Sequence, residues 1–541
     1  MAANDSKQSI GKEEILTDDI QHTDEIRTSP IPKRTPLERQ QALKAALEVD
    51  PGVKRWSLRA MQMYLVTLVA CCCSGDSGFD GTVMGGINSM TQYQKYFGLT
   101  GVGKSTSIVF GIFTISLPFT TPVLLSDGNP AYFPDKFGRR FSMFFGNGVL
   151  IVGAILTANA TNEGMFLGGR YLTGLGSTCA GASAKSFLAE LAPPHSRGAY
   201  LGFLNSFFYV GQISATGMMV ATGRFDSDWS WRLPLYIQVV PAALNVIFVF
   251  FCPESPRWLY SVGKEAQARR ILARFHSSTG DPNSPLVSLE MEEIEEKLVV
   301  GGSDKHWWDF RPLFRTRADR YRAYMVILIG SFGQLSGNGL ITYFLPILLK
   351  NAGITSQDRR LTLNFVNSIT SYIGGKLLCS LSGSFIIDRI GRRKILLLST
   401  SAIVVILVVV TGLLSSSGNA AQSNAGITFV FLFMISSHLD GPRSLYPAEV
   451  LSYEARAKGL AFLGIVSQCA LLINTFGLPV ALERITWKGM SPLYVIFAIW
   501  DLFEVIVIYF FVVETKGLTL EEINEVFEQP NPRQYSTGVK R

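Results

Sequence analysis

Two side chains of opposite charge lie inside otherwise apolar stretches of this sequence. Asp80 follows Ser77-Gly-Phe in the first apolar stretch, and Arg170 is the only basic residue early in the fourth. Ionisable residues are rare within membrane-spanning segments and are usually functional there. If the two side chains face each other, the guanidinium keeps the carboxylate ionised, and protonation breaks the pair. The pattern predicts a proton switch; the alternative is that Asp80 is a solvated residue at the mouth of the molecule.

Neutral polar side chains form a second group, concentrated in the seventh apolar stretch. This stretch reads Gly333-Gln-Leu-Ser-Gly-Asn-Gly-Leu-Ile-Thr-Tyr-Phe344, and its glycines allow the helix to be interrupted. Sugars are bound by such uncharged donors and acceptors, so we predict substrate binding. For any single residue the alternative is an interhelical hydrogen bond, worth ~0.6–2 kcal/mol. The candidates, including similar residues in stretches five, eight and eleven, are Gln212, Gln334, Asn338, Tyr343, Asn364 and Asn474.

A charged loop motif occurs twice. Asp135-Lys-Phe-Gly-Arg-Arg140 returns as Asp388-Arg-Ile-Gly-Arg-Arg393, 253 residues later. The glycine permits a tight turn between two helices, and the arginines can bond carbonyl groups at helix C-termini. We therefore predict that each loop is a latch that is made and released during a conformational cycle. The alternative is that the loops only anchor the topology.

Acidic and basic residues near these loops repeat as well. Glu190 precedes Arg197 by seven residues, as Glu449 precedes Arg456, and Glu254 returns as Glu514. Breaking a buried ion pair by removing one partner is costly, which suits a conformational switch, whereas exposed pairs contribute little. The predicted cytoplasmic gate comprises Asp135, Arg139, Arg140, Glu190, Arg197, Glu254, Arg257, Asp388, Arg392, Arg393, Glu449, Arg456 and Glu514.

These residues must be positioned by membrane-spanning helices. A bilayer core of ~30 Å requires ~20 apolar residues per helix, and twelve such stretches occur. The three motif pairs recur in order at nearly one offset, which indicates a parallel repeat of six helices with the substrate site between the repeats. The twelve stretches are 59–86, 105–125, 141–160, 166–190, 199–222, 233–252, 323–349, 361–386, 394–416, 425–447, 458–482 and 491–513. The predicted divisions are a disordered cytosolic tail (1–56), a first bundle (57–252), a cytosolic linker with short helices (253–322), a second bundle (323–513) and a cytosolic tail (514–541).

The composition excludes several classes of protein. Only 17% of the residues are charged, below the ~25% typical of soluble domains. The net charge of +7 is spread over loops, as in a membrane protein, rather than gathered into a nucleic-acid groove. The seven cysteines include no CxxC pair, and no nucleophile–base set or phosphate loop stands out, so we expect no enzyme, metal or cofactor.

The distribution of basic residues predicts the orientation. The loops after the second and eighth stretches contain Arg139 and Arg392 with their basic neighbours, whereas the loops after the third and ninth contain no Lys or Arg. The even-numbered loops and both termini should therefore be cytosolic. The polar residues 1–55 contain no cleavable signal peptide, and we expect a monomer.

The motifs resemble those of the sugar porter family of the major facilitator superfamily, across about residues 55–525. The resemblance is carried by Gly78-Phe-Asp-Gly-Thr-Val-Met-Gly-Gly86, the two repeated loops and Pro253-Glu-Ser-Pro-Arg-Trp-Leu259. The seventh stretch is similar to the fungal lactose permease-like and hexose-transporter branch. The resemblance implies an all-α major facilitator fold and proton coupling through Asp80 with Arg170. It also implies sugar binding by Gln334, Asn364 and Tyr343.

The leading hypothesis is therefore a sugar–proton symporter for a mono- or disaccharide, working by alternating access at the plasma membrane. A facilitative uniporter is the close alternative. A non-transporting sugar sensor is a third possibility, although only 27 residues follow Glu514. A degenerate carrier is a fourth, since Pro118 and Pro122 interrupt the second stretch and the tenth carries His438, Asp440 and Arg443.

Overall fold

The structure is a computed structural model in which all described regular secondary structure is helical. It describes residues 36–54, 56–98, 104–123, 132–302, 310–351, 353–374, 390–415, 420–438, 442–451, 456–484, 493–516, 518 and 520–538. In chain order the helices are α1 (Pro36–Val49), α2 (Leu58–Ile87), α3 (Thr91–Tyr96), α4 (Lys104–Val123), α5 (Tyr132–Phe137), α6 (Arg139–Ala158), α7 (Glu163–Leu191), α8 (Arg197–Thr222), α9 (Trp229–Ile237), α10 (Val239–Phe248), α11 (Pro256–Ser261), α12 (Glu265–His276), α13 (Pro285–Gly302), α14 (Arg317–Leu335), α15 (Asn338–Asn351), α16 (Gln357–Ile373), α17 (Arg392–Ser415), α18 (Ala420–His438), α19 (Pro442–Val450), α20 (Arg456–Arg484), α21 (Leu493–Phe511), α22 (Leu520–Glu528) and α23 (Pro532–Gly538).

Each of the twelve predicted apolar stretches contains at least one of these helices. The sixth stretch is divided into α9 and α10, and the seventh into α14 and α15. Within the described ranges, seven helices are long and apolar enough to cross a membrane, whereas the predicted fold has twelve spans. The last part of the eighth stretch, residues 375–386, lies outside the described residues. Asp388, which follows it, also lies outside them.

The second stretch does not break where its prolines predicted an interruption. Helix α4 continues through Pro118 and Pro122 to Val123. Proline is tolerated in membrane helices when neighbouring helices and local adjustments satisfy the freed backbone groups. Residues 124–131, which follow this helix, lie outside the described residues.

Side-chain caps determine where several of these helices begin. The side chain of Asn162 accepts a hydrogen bond from the backbone N–H of Met165 at the start of α7, over 2.8 Å. Thr316 accepts from Asp319 N at the start of α14, over 3.0 Å. Such caps satisfy N–H groups that have no partner inside the helix.

The outer faces of the long helices are apolar and exposed. Leu398 and Val405 on α17 are 68% and 61% exposed, and Ile473 on α20 is 66% exposed. In an aqueous protein such continuous apolar surfaces are rare, but in a bilayer they face the lipid chains. The interior is closed by large buried side chains such as Trp231 and Phe166.

Helices from the two halves of the chain pack together. Helix α4 packs against α20, and α8 packs against α16, while α6–α7 and α17–α21 are extensive contacts within each half. Segments that are distant in sequence therefore enclose the interior in which Asp80 and Arg170 lie.

A separate compact unit contains α1 and the linker helices α12 and α13. Residues 36–49 were expected to belong to a disordered tail, but they form α1, which packs against α13. The reason is the residue after the helix: Asp50 accepts hydrogen bonds from Ser278 N over 2.8 Å and from Ser284 Oγ over 2.7 Å. Residues 1–35 lie outside the described residues.

Hydrogen bonding also changes the acidity of this carboxyl group. Burial raises the pKa of Asp50, but hydrogen bonds from Ser277, Ser278 and Ser284 outweigh it and hold the pKa well below its ordinary value. A lowered pKa in the folded state means that this contribution to stability is present above about pH 4 and is lost as the pH falls further.

We predict that Asp50→Ala releases α1 from the linker helices. The substitution leaves the Ser278 N–H and the Ser284 hydroxyl without their acceptor, at a cost of about 1–3 kcal/mol. Hydrogen–deuterium exchange of the full-length protein should then be faster in residues 36–49. Asp281→Ala, which removes an exposed carboxylate from the same unit, is the control; equal exchange in the two variants would contradict the prediction.

Candidate functional site

Asp80 and Arg170 face each other in the interior of the protein. The Arg170 guanidinium donates a hydrogen bond through Nη1 to Asp80 Oδ1, and its Cζ lies 4.8 Å from the centre of the Phe113 ring. Asp80 is 0% and Arg170 2% exposed. Asp80 is therefore not a solvated residue at a mouth. Its second oxygen, Oδ2, has no hydrogen-bond partner within the described part of the chain.

Close helix packing fixes the position of the pair. A Cβ atom on Gly78 would lie 1.9 Å from the carbonyl oxygen of Phe208, and one on Gly211 would lie 1.9 Å from that of Gly75. Only glycine allows α2 and α8 to approach this closely. Helix α2 is further joined to α7 by the hydroxyl groups of Ser77 and Ser177, which are 3.1 Å apart.

The predicted interruption of the seventh stretch is present at Ser336-Gly337, between α14 and α15. Gly337 has a φ of +81°, a conformation that L side chains rarely adopt. The break frees the carbonyl group of Gln334, which accepts a hydrogen bond from the Asn474 amide on α20. Thr342 Oγ1 donates to Asn338 Oδ1 over 3.2 Å.

Tyr343 lies beside the same break. A Cβ atom on Gly339 would lie 3.5 Å from Asn474 Nδ2 and 3.8 Å from Tyr343 Cδ2, so both side chains border one glycine surface. The structure therefore brings Gln334, Asn338, Tyr343 and Asn474 together where the helix is interrupted. We call these four residues the amide cluster.

Gln212 and Asn364, the other two predicted sugar-binding residues, are buried on two helices that pack together. Each is 3% exposed, Gln212 on α8 and Asn364 on α16, two helices that pack against each other. Within the described ranges, no hydrogen bond joins either side chain to the amide cluster. The structure thus places these two candidates on adjacent helices without connecting them to the other four.

The first charged loop forms a network around two carboxylates. Arg139 Nη2 donates to Glu190 Oε1 over 3.0 Å, and Ser255 Oγ donates to Glu190 Oε2. Glu254 accepts hydrogen bonds from the backbone N–H groups of Arg139 and Arg140, at 3.1 and 3.4 Å. Arg140 Nε donates to the carbonyl of Val249 over 3.2 Å. The network joins the beginning of α6 to the ends of α7 and α10.

The second charged loop repeats this geometry. Arg392 Nη2 donates to Glu449 Oε1 over 3.1 Å, and Thr515 Oγ1 donates to Glu449 Oε2 over 2.7 Å. Glu514 accepts from the backbone N–H groups of Arg392 and Arg393, at 2.9 and 3.2 Å. Arg393 Nη2 donates to the Tyr509 carbonyl over 2.8 Å. The expectation that the arginines bond carbonyl groups near helix ends is confirmed in both loops.

Each loop contains a glycine that its network requires. Gly138 and Gly391 have φ values of +92° and +103°, and a Cβ atom on them would lie 2.7 and 2.5 Å from the carboxylates of Glu254 and Glu514. These carboxylates sit on the N-termini of α6 and α17, where backbone N–H groups and the helix dipole favour negative charge. Burial nevertheless raises the pKa of Glu254 above its ordinary value, against the lowering effect of the N–H donors and of Arg140.

The other predicted gate residues are placed as follows. Arg197 begins α8, and Arg257 lies in α11. Glu190 is bonded to Arg139, the pairing that closes the first loop network. The side chains of Asp135 and Arg456 and the whole of Asp388 lie outside the described residues. We call the end of the molecule that carries Gly138 and Gly391 the motif end.

The opposite end, which we call the far end, carries residues 88–98 and 353–358 and is closed by contacts between the two halves of the chain. Gln357 Nε2 donates to Gly223 O over 2.8 Å, and its Oε1 accepts from Thr91 N over 3.0 Å. Arg224 Nε donates to Asp358 Oδ1 over 2.8 Å. The sequence motifs did not indicate a role for Gln357, because its hydrogen-bond partners are more than 130 residues away in the chain.

A second buried ion pair lies in the second half of the chain. Arg443 Nη2 donates to Glu504 Oε2 over 3.2 Å, and Trp500 Nε1 donates to Glu504 Oε1 over 2.7 Å. Glu504 and Asp501 are both 0% exposed. These two acids were not among the residues predicted from the sequence, although an ionisable residue inside an apolar stretch was a sufficient signal. Arg443, which made the tenth stretch irregular, is the partner of Glu504.

We predict that Glu254→Ala and Glu514→Ala lower stability by similar amounts. Each removes a carboxylate from a helix N-terminus and leaves three backbone N–H groups without that acceptor, at a cost of about 1–3 kcal/mol. Thermal unfolding in detergent should shift to lower temperature for both. Glu265→Ala is the control, because within the described part of the chain the Glu265 carboxylate forms one exposed pair, with Arg269 at 3.3 Å. Unfolding curves that coincide for all three variants would contradict the prediction.

Comparison with known proteins agrees with this architecture. A family model described as "Sugar (and other) transporter" matches residues 66–527. The chain is 26% identical over 491 residues to the high-affinity glucose transporter of Kluyveromyces lactis, covering 86% of this chain and 85% of that protein. It is 28% identical over 469 residues to the sugar transport protein MST3 of Oryza sativa subsp. japonica, covering 82% and 86%.

Solved structures confirm the predicted fold. The inward-open conformation of the xylose transporter XylE from E. coli aligns with a TM-score of 0.68 at 20% identity, over 86% of this chain and 99% of that chain. The partially occluded inward-open conformation aligns with a TM-score of 0.67, also at 20% identity, over 85% and 100%. The protein is a multi-pass integral membrane transporter of sugars and not an enzyme. The chain belongs to the sugar porter family of the major facilitator superfamily.

Proposed function

We propose that this protein takes up a sugar together with a proton, by symport. The observation that carries the proposal is the buried Asp80–Arg170 pair. An isolated charge is expensive in a membrane interior, and a charge pair that protonation can break provides two states of different stability. A uniporter has no need of an ionisable group at this position. The proton therefore acts on the conformation through Asp80.

The proposed coupling follows from what protonation does to the pair. A proton that binds Asp80 removes the charge that holds the Arg170 guanidinium, so the ion pair is lost. Arg170 is then free to adopt another position, and α2 and α7 lose one of their connections. Release of the proton on the other side of the membrane restores the pair. Binding of the proton and of the sugar thus favours the same rearrangement.

We propose that the sugar binds at the amide cluster, with Gln212 and Asn364 completing the site from α8 and α16. The cluster combines an interrupted helix with uncharged donors and acceptors and an aromatic ring, which suits a polyhydroxylated ring without net charge. We propose a hexose such as glucose, the sugar in the name of the Kluyveromyces relative. When no sugar is bound, the polar groups of the site must form hydrogen bonds with other protein groups. The Asn474 amide does this by donating to the Gln334 carbonyl.

We propose alternating access between two bundles, residues 57–252 and 323–513. The far-end contacts of Gln357 and the Arg224–Asp358 pair join the two halves, so they must break before that end can open. The two loop networks at the motif end are internal to each half, so they can travel with it as a rigid group. This arrangement supports rocking of one bundle against the other.

We further propose that the motif end is cytosolic, with both termini, and that the protein functions as a monomer in the plasma membrane. The basic loops support this orientation through the positive-inside bias. The linker 253–322 and the tails 1–56 and 514–541 would then lie in the cytosol.

Asp80→Asn tests the coupling. The amide can donate and accept hydrogen bonds but cannot take up a proton, so sugar-driven proton uptake should fall to background in proteoliposomes. Exchange of sugar for sugar across the membrane, which requires no net proton movement, should persist. Monodisperse elution in detergent verifies that the variant folds.

Glu163→Gln is the matched control, since it neutralises an exposed carboxylate of the same half at the start of α7. It should leave both activities unchanged. If Asp80→Asn still accumulates protons with sugar, coupling through Asp80 is wrong. If the wild-type protein moves sugar without protons, the protein is a uniporter.

Gln334→Ala tests the sugar site. Removal of its amide should raise KM for the sugar roughly tenfold, corresponding to a loss of about 1.4 kcal/mol, a typical value for one hydrogen bond to an uncharged ligand. Gln267→Ala, at an exposed position on α12, is the control for loss of a glutamine. An unchanged KM in Gln334→Ala would place the sugar elsewhere.

A further inference from the structure

A second carboxyl group lies one helical turn from the proposed coupling pair. Asp76 precedes Asp80 by four residues on α2, so the two side chains are on the same face of the helix. Asp76 is 1% exposed, and within the described part of the chain neither of its carboxylate oxygens has a hydrogen-bond partner. The proposed coupling mechanism assigns no role to this residue.

The charges around Asp76 do not compensate it. When both side chains are ionised, the Asp80 carboxylate repels the Asp76 carboxylate. The cationic side chain of Arg170 on α7 is bound to Asp80. Helix α8 approaches α2 at Gly75 and Gly78 through the backbone of Phe207 and Phe208.

The hydrogen bonds at the neighbouring turns of α2 are formed by uncharged groups. The Cys73 thiol lies one turn before Asp76 and accepts a hydrogen bond from Asn147 Nδ2 on α6 over 3.3 Å. Asn147 Nδ2 also donates to Asn245 Oδ1 on α10 over 2.8 Å. Asn245 in turn donates to the Val69 carbonyl on α2 over 2.7 Å. No cation is contributed to Asp76 by these contacts.

These groups form a stripe along one face of α2. Val69, Cys73, Asp76 and Asp80 are separated by four, three and four residues, the spacing that aligns side chains on one side of a helix. Asn147 and Asn245, both 0% exposed, extend the stripe toward the motif end. The buried polar groups therefore continue from Asp80 toward the end of the molecule that carries Gly138.

We propose that Asp76 is a second proton-binding site of this transporter, which holds a proton as a neutral carboxylic acid and passes it between Asp80 and the motif end. Burying an ionised carboxylate without a partner is costly, whereas the neutral acid removes both the desolvation cost and the repulsion from Asp80. The step is a proton transfer alone: Asp76 first releases its proton toward the motif end, and the Asp80 carboxyl then gives its proton to the Asp76 carboxylate, which is neutral again.

This inference rests on the proposed symport, but it has a readout of its own. Infrared spectroscopy of the reconstituted protein in H2O and D2O detects the C=O stretch of a buried protonated carboxyl group. Asp76→Asn should abolish the band assigned to this acid, while Asp80→Asn should leave it. Persistence of the full band in Asp76→Asn would overturn the proposal.

Transport provides the second measurement. In Asp76→Asn we expect sugar exchange to persist and sugar-driven proton uptake to lose one of its pH transitions, because one of the two proposed proton-binding carboxyl groups is removed. An unchanged pH profile would overturn the assignment and leave the proposed symport standing. Absence of proton uptake in the wild-type protein would instead contradict the symport, while the infrared band would still report on Asp76.

Asp76→Glu covers the case in which the asparagine variant does not fold. It retains a carboxyl group, so proton uptake should be preserved and the infrared band should move to the position of a glutamic acid. A band that does not move would show that another residue carries the proton. Ser77→Ala is the control for a polar substitution beside this position, and it should leave the band unchanged.

Discussion

The main constraint on the interior of this protein is that a buried charge needs a partner. Lipid and apolar side chains cannot solvate an isolated carboxylate or guanidinium, so each buried charge must be paired, neutralised or removed. Asp80 and Arg170 satisfy the constraint by pairing across α2 and α7. The positions of both helices follow from this pair, and the close packing of glycines at α8 holds the pair in register.

The same constraint explains the charged loops. A helix N-terminus has N–H groups without intrahelical partners, and a carboxylate from elsewhere in the chain satisfies them. Glu254 and Glu514 do this for α6 and α17, and the arginines of the motif then bind Glu190, Glu449 and carbonyl groups at other helix ends. The two loops, which share the pattern Asp-x-x-Gly-Arg-Arg, thereby produce the same geometry, because the helix termini impose the same requirement on both.

The second half of the chain contains a further case. Arg443 looked like a defect in an apolar stretch, but it compensates Glu504 on a helix that was predicted without any buried charge. Arg443 is therefore one half of an ion pair, whereas the side chain of His438 and the whole of Asp440 lie outside the described residues. Asp76 is the contrasting case, since no cation pairs with it among the described residues, and the proposed neutralisation by a proton satisfies the constraint instead.

The sequence by itself determined the class, the helices and the motifs. Apolar length is set by the bilayer, and the interruption at Gly337 is set by backbone sterics, so both are local properties that can be read from consecutive residues. The repeated loops likewise contain their own turn and their own charges. Tertiary structure decided which side chains meet. The partners of Gln357 and Glu504 and the docking of α1 through Asp50 depend on helices that are distant in the chain. Pairing between such segments is set by packing in three dimensions, which the spacing of residues along one segment does not specify.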